Sequence, residues 1–261
     1  MTAARTKGRC GGSETAADEH RYAWQHDVSG FGSEGQARLR DATVLVSRVG
    51  GVGGTVALYL AAAGVGRLVL AHAGELRLND LNRQILMNTP ALGRPRAEVA
   101  EATLASFNPE VVVEAIPANI DAENAAAIVG RCDLVVSAAP LFSERLAMNQ
   151  AAVASGTPLV DAAMYDMEAR LFVRETSSDP CLACLYPDEP PLWKRRFPVL
   201  GAVSGTIGSL AAVAAIQVLT GMPRPAAGRL THLDFTTLTL RQIAISRRAD
   251  CPVCGPHVRR G

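Results

Sequence analysis

Short apolar runs alternate with longer Ala-rich stretches along the first two thirds of this chain. Residues 44–47, 67–71, 111–116, 133–137 and 158–161 are dominated by Val, Leu, Ile and Ala, the pattern of strands buried on both faces. Between them, residues 53–63, 96–107, 122–129 and 143–154 read as helices, and Asn108-Pro109 stops the second of these. Strand and helix in turn, at these lengths, predict an α/β fold with a doubly wound, mostly parallel Rossmann-like sheet. Beyond residue 161 the alternation ends. Residues 170–174 and 230–246 read as an antiparallel β extension wrapped around a helix at 204–219, and a polar arm at 21–40 reads as helical. Residues 186–198, rich in Pro and charge, read as a mobile loop.

The junction after the first strand carries the strongest chemical signal. Gly50-Gly51-Val52-Gly53-Gly54 turns the chain from strand into helix. A helix N-terminus behind such a turn offers free N–H groups and the positive end of a dipole to an anion, typically a nucleotide phosphate. The usual fingerprint G-x-G-G-x-G has glycine where this chain has Arg48.

Composition narrows the options. The chain has 261 residues and a formal net charge of +1, with aromatics at 5%, so no global field draws it to nucleic acid or an anionic membrane. No apolar stretch reaches transmembrane length. Residues 203–219 come nearest, but Ser204, Thr206, Ser209 and Gln217 interrupt them, which predicts a core helix. Residues 1–19, which include Cys10, lack the hydrophobic centre of a signal peptide and read as a disordered tail. A single domain over 20–261 and a cytoplasmic location are the expectations.

Four of the six cysteines form two C-x-x-C pairs, Cys181/Cys184 and Cys251/Cys254, each in a turn context. Two residues between ligands let both thiolates face one ion, so the two pairs fit a structural four-cysteine zinc site that staples the chain end to its middle. Two disulfides or reactive dithiols are the alternatives, and disulfides are rare in the cytosol. Cys132, just before a strand, reads as a plain buried thiol.

The order of motifs now carries a resemblance. Arg21-Tyr22, the glycine turn, Leu81-Asn82-Arg83-Gln84, Gly93-Arg94-Pro95-Arg96, Asn108-Pro109, the two cysteine pairs and the glycines from 201 to 208 follow one another. Together, over about residues 20–255, they resemble the ubiquitin-activating-enzyme-like superfamily, the adenylyltransferases of the ThiF, MoeB and HesA type. The resemblance implies AMP-forming activation of a carboxylate. The acid would be the C-terminus of a ubiquitin-like or sulfur-carrier protein or peptide, or a small biosynthetic acid. It implies ATP with magnesium as cofactor and a homodimer. Arg48, Gly50, Gly51, Gly53, Asn82, Arg83, Gln84 and Arg96 would form the nucleotide site, with Arg83 and Arg96 catalytic.

Several positions depart from the family pattern. The Asp-x-Asp after the second strand falls on His72-Ala73-Gly74, so the ribose acid would be Gly74. The magnesium acid after the fourth strand falls on Pro140, the family lysine on Arg96, and an arginine that reaches across a dimer on Trp24. Arg48 either blocks the phosphate site or adds a phosphate contact. The loop after Cys184 has no cysteine for thioester chemistry, and Lys194 stands near that position. These changes open a second reading: a non-catalytic subunit or scaffold, alone or paired with an active relative, that grips a partner protein. His72 reads as a polar strand end or a general base, Asp80 and Glu75 as solvated loop charges or, moved inward, as the missing metal carboxylate, and residues 193–197 as a solvated basic loop or a grip for a carboxylate-bearing or acidic tail. The absence of an acid at the second strand's end disfavours NAD.

Overall fold

The computed structural model describes residues 16–188, 197–225 and 227–255. Eight strands form one sheet in the order β3-β2-β1-β4-β5-β6-β7-β8. β1 (Thr43–Ser47), β2 (Arg67–Ala71), β3 (Val112–Ile116), β4 (Leu134–Ser137) and β5 (Leu159–Tyr165) pair in parallel, while β6 (Glu168–Arg174), β7 (Arg229–Asp234) and β8 (Thr239–Ala244) continue the sheet antiparallel. The antiparallel strands thus extend the main sheet, and β6 packs against the helix at 201–220.

Alternation along the strands sorts the core into two layers. Val44, Val46, Leu68, Leu70, Leu134 and Val136 point to one face. There they meet α3 (Gly51–Ala62), α4 (Arg96–Phe107) and α8 (Gly201–Thr220). Leu45, Val69 and Val135 point to the other, against α5 (Ala125–Val129) and α6 (Phe142–Ser155). A single helical turn, α7 (Leu182–Leu185), follows β6 and carries the second cysteine of the first pair. Both faces of the parallel sheet being covered explains why its strands are continuous apolar runs.

Three expectations need correction. The polar arm is two helices, α1 (Ala16–His26) and α2 (Gly32–Asp41), separated by a turn in which Gly30 has φ +78°. α1 begins inside the stretch read as tail, whose first fifteen residues, with Cys10, lie outside the described ones. The third correction concerns the length of α8 and not its place in the core, which is as expected. α8 has 20 residues, with a mean hydropathy of 1.8 over an 18-residue window, and is long and apolar enough to cross a membrane by length and composition. The helix nevertheless packs into the core through Val203, Ile207, Ala211 and Ala215. Small residues let it approach α3 closely: a Cβ on Gly208 would sit 2.7 Å from the Thr55 Cβ, and one on Gly51 would sit 2.9 Å from the Ser204 Cβ.

Two of the motif residues are structural. Tyr22 and Asn108 are buried, and the Asn108 side-chain amide donates to the Tyr22 hydroxyl at 2.9 Å and to the Ala61 carbonyl at 2.7 Å. This clasp ties α1 to the ends of α3 and α4.

Candidate nucleotide cleft and cysteine cluster

The strand order reverses between β1 and β4, and a crevice opens there beyond the carboxyl ends of the strands, where doubly wound sheets bind ligands. Its volume is about 640 Å³. Arg48, Gly50 and Gly51 come from the exit of β1, His72 from that of β2, Ala138 to Pro140 from that of β4, and Asp80, Asn82, Arg83 and Gln84 from the loop before α4. Arg96 at the start of α4 and Arg145 on α6 complete the wall. Seven of the eight expected nucleotide-site residues therefore line one cavity. Gly53 does not. It lies behind the turn, where a Cβ would stand 2.5 Å from the Arg48 carbonyl oxygen, so its role is to let the helix start against the strand.

The turn itself is tight: the Gly50 N–H donates to the Arg48 carbonyl at 2.6 Å. Arg48 has φ +60°, the left-handed region that glycine occupies freely and that strains other residues by about 1 kcal/mol. That strain accounts for the glycine of the usual fingerprint. Here the position aims a guanidinium instead. Arg48 Nε donates to Glu144 Oε2 at 2.7 Å and Nη2 donates to Oε1, a bidentate pair with both side chains buried. Arg48 therefore borders the cavity without filling it. Trp24, 92% exposed on α1, does not line it.

Asp80 is not a solvated loop charge. It is 6% exposed, its Oδ2 accepts from Arg96 Nη2 at 2.6 Å and from the Arg77 N–H at 3.0 Å, and its Oδ1 accepts from Arg83 Nη2 at 3.2 Å. Its pKa is lowered: burial pushes it up, and the bonds from Arg96 and the Arg77 N–H, with the charges of Arg96 and Arg83, outweigh burial. Arg96 Nη1 also donates to the Ala73 carbonyl at 3.2 Å, while Arg83 Nη1 donates to the Asn79 carbonyl at 2.7 Å. Glu75 is exposed, as expected.

His72 is 7% exposed, and its Nδ1 is buried without a hydrogen-bond partner. Burial, then the charges of Arg48 and Arg96, lower its pKa to about 3. A neutral imidazole so weakly basic is no general base near pH 7. Behind the cleft, Arg145 donates from Nε to Asp161 Oδ1 at 3.0 Å and from Nη2 to Oδ2 at 2.5 Å, and the Ser137 hydroxyl donates to Oδ1 at 2.9 Å. Glu144, Arg145 and Asp161 were missed in the sequence. Their signal was a charged pair at the start of a helix that follows a buried strand.

The four cysteines meet beside Leu146 and Val153 of α6, their sulfurs all within 4.8 Å of one another. Cys181 and Cys251 are 3.7 Å apart and Cys184 and Cys254 3.4 Å. A tetrahedron with Zn–S bonds of about 2.3 Å has edges of about 3.8 Å. Disulfides are excluded in this geometry, since S–S bonds are about 2.05 Å. The Arg248 N–H donates to Cys184 Sγ at 3.5 Å. The donor set and spacing fit a divalent soft-ligand ion. Cys132 is buried, its thiol against the Ile128 carbonyl at 3.3 Å.

The ThiF family profile matches residues 22–253. The chain belongs to the ThiF family. Among curated relatives, the vegetative HesA protein of Trichormus variabilis is 44% identical over 243 residues, 93% of this chain and 92% of the relative. The sulfur carrier protein ThiS adenylyltransferase of Escherichia coli is 36% identical, covering 91% and 96%. The structure of the E. coli microcin C7 biosynthetic enzyme MccB with N-formylated MccA superposes with a TM-score of 0.83 at 21% identity, covering 92% of this chain and 76% of that one, a likeness of fold.

Within this ThiF-family frame two departures meet. Gly74 has φ +83°, and a Cβ on it would stand 2.9 Å from Arg96 Nη1. The guanidinium that replaces the family lysine thus crowds the ground that a side chain at residue 74 would need. Residues 193–196, with Lys194, lie outside the described ones. Phe197 lines the cleft, its ring stacked on Tyr165 with centroids 6.2 Å apart.

Proposed function

We propose that this chain joins ATP to the C-terminal carboxylate of a ubiquitin-like sulfur-carrier protein or peptide, making an acyl adenylate in the cleft behind the glycine turn. One observation supports the reading above others. The N-terminus of α3 and the guanidiniums of Arg48, Arg83 and Arg96 converge on one cavity of about 640 Å³. That volume lies within the range of about 300–1,000 Å³ usual for small-molecule sites.

The chemistry asks for charge and position. A carboxylate oxygen attacks the α-phosphorus, the bond from that phosphorus to the bridging oxygen breaks, and pyrophosphate leaves with the electron pair. The attacking acid is already ionised at neutral pH, so no base is required. Negative charge on both reactants and on the transferring phosphoryl group must be offset by fixed donors. Arg83 and Arg96, both held by Asp80, take that role as the catalytic pair. The Gly50–Gly51 turn brings the chain close to the phosphates, and Asn82 and Gln84 complete the wall. Cys181, Cys184, Cys251 and Cys254 hold a structural zinc ion. Assembly as a homodimer rests on the family resemblance, and a cytoplasmic location on the sequence reading of residues 1–19.

The test is ATP–pyrophosphate exchange with a carrier protein ending in Gly-Gly, with the acyl adenylate sought by mass spectrometry. Exchange and adduct together uphold the reading. Bound ATP with neither favours the second reading, a partner-binding subunit without turnover. Gly74 and Pro140, standing where the family pattern has acids, give that alternative its support.

A further inference from the structure

We propose that the cleft takes its nucleotide as the metal-free polyphosphate, with fixed arginine charge in the place of a divalent cation. The inference rests on the nucleotide-binding reading above. The family pattern implies magnesium, a hard cation held through one or two carboxylates together with water and phosphate oxygens. The carboxylates here are not free to hold it, and the other side-chain oxygens of the wall are the neutral ones of Asn79, Asn82, Gln84 and Ser204.

Asp80 is the one carboxylate among the described residues lining the cavity, and both its oxygens are engaged by Arg83, Arg96 and the Arg77 N–H. The two carboxylates behind the wall are engaged as well: Glu144 by the fork of Arg48, Asp161 by Arg145 and Ser137. At the exit of β4 the lining is Ala138, Ala139 and Pro140, which offer no side-chain oxygen.

The charge balance points the same way. Arg48, Arg77, Arg83, Arg96 and Arg145 line the cavity. Set against Asp80, Glu144 and Asp161, these five guanidiniums leave an excess of two positive charges, which is what a divalent ion carries. A metal ion entering this wall would meet repulsion, and a polyphosphate would not. The geometry at residue 48 serves the same end. The left-handed backbone and the bidentate grip of Glu144 fix the guanidinium plane, and among the described residues none accepts from Arg48 Nη1. Lysine, a point charge on a flexible stem, would not be fixed in this way.

The experiment is calorimetric titration of the full-length protein with ATP, once with EDTA and once with excess magnesium chloride. The expected result is affinity in EDTA equal to or tighter than with magnesium. Tightening by magnesium of about tenfold or more overturns the inference and leaves adenylation standing. No binding in either condition removes the nucleotide reading itself and this inference with it. Two variants, each checked for folding by thermal melting, carry the charge argument. Arg83→Gln lowers the fixed excess by one and should weaken ATP in EDTA by about tenfold, with part of the loss recovered by magnesium. Pro140→Asp adds the family acid and should behave likewise. Unchanged ATP affinity in EDTA for both variants overturns the inference.

Discussion

Replacing Arg145 by methionine tests the electrostatic frame behind the cleft. Arg145 and Asp161 are the most enclosed ion pair described, with side-chain exposures of 4% and 3%. Methionine keeps much of the volume but leaves the Asp161 carboxylate with the Ser137 hydroxyl alone. Removing one partner of a buried pair costs about 3–5 kcal/mol. Arg145 also lies over the rings of Phe142 and Tyr186, 4.6 and 5.2 Å from their centroids. Losing those contacts adds about 0.5–2 kcal/mol. A loss near 4 kcal/mol lowers the melting temperature of a chain this size by roughly 8–16 °C. Urea unfolding of wild type, Arg145→Met, Asp161→Asn and the double variant closes a double-mutant cycle. The double variant should be less destabilised than the sum of the singles by about 1–3 kcal/mol. Singles costing under about 1 kcal/mol, or strict additivity, would show that the pair does not hold α6 to β5.

Three further outcomes follow from the same geometry. The purified protein should carry one zinc per chain by elemental analysis, and Cys251→Ser should release it and lower the melting temperature, because binding energy at such sites is folding energy. For His72 the folded value of about 3 lies below the ordinary 6.5, so the unfolded chain binds a proton between them that the folded one refuses. Stability present above pH 6.5 is therefore lost as pH falls toward 3, at up to about 1.4 kcal/mol per unit, and His72→Gln should flatten that part of the urea-midpoint profile. Gly74→Asp, which writes the family acid back in, should destabilise by about 1–2 kcal/mol at a left-handed backbone beside Arg96 and leave ATP affinity no tighter; a tighter complex in calorimetry would refute the crowding argument.

Much of the sheet was legible because its strands are buried on both sides. β2 and α4 begin and end at the residues that apolar runs and Asn108-Pro109 mark. The break between α1 and α2 was not, although the glycines at 30 and 32 were there to find. Both helices are polar on average, so the stretch was read as one arm and the turn hid in it. The cleft was legible in its parts and not in its wiring. Arg48 finds Glu144 across 96 positions and Arg96 finds Asp80 across 16, separations set by strand order rather than by local spacing. For that reason Asp80 reads as a loop charge in one dimension and as the anchor of two arginines in three. Nor does any local pattern show that Gly74 and Arg96 contend for the same space.

The cysteine knuckles impose an order on biogenesis. Cys251 leaves the ribosome 70 residues after Cys181, and β7, β8 and the whole of α8 emerge between them. A nascent chain whose five parallel strands have all emerged still lacks the second cysteine pair of the cluster. On the proposed zinc reading, closure of the cluster is a late, metal-dependent step, and cells short of zinc should accumulate chains whose last hairpin is unlatched.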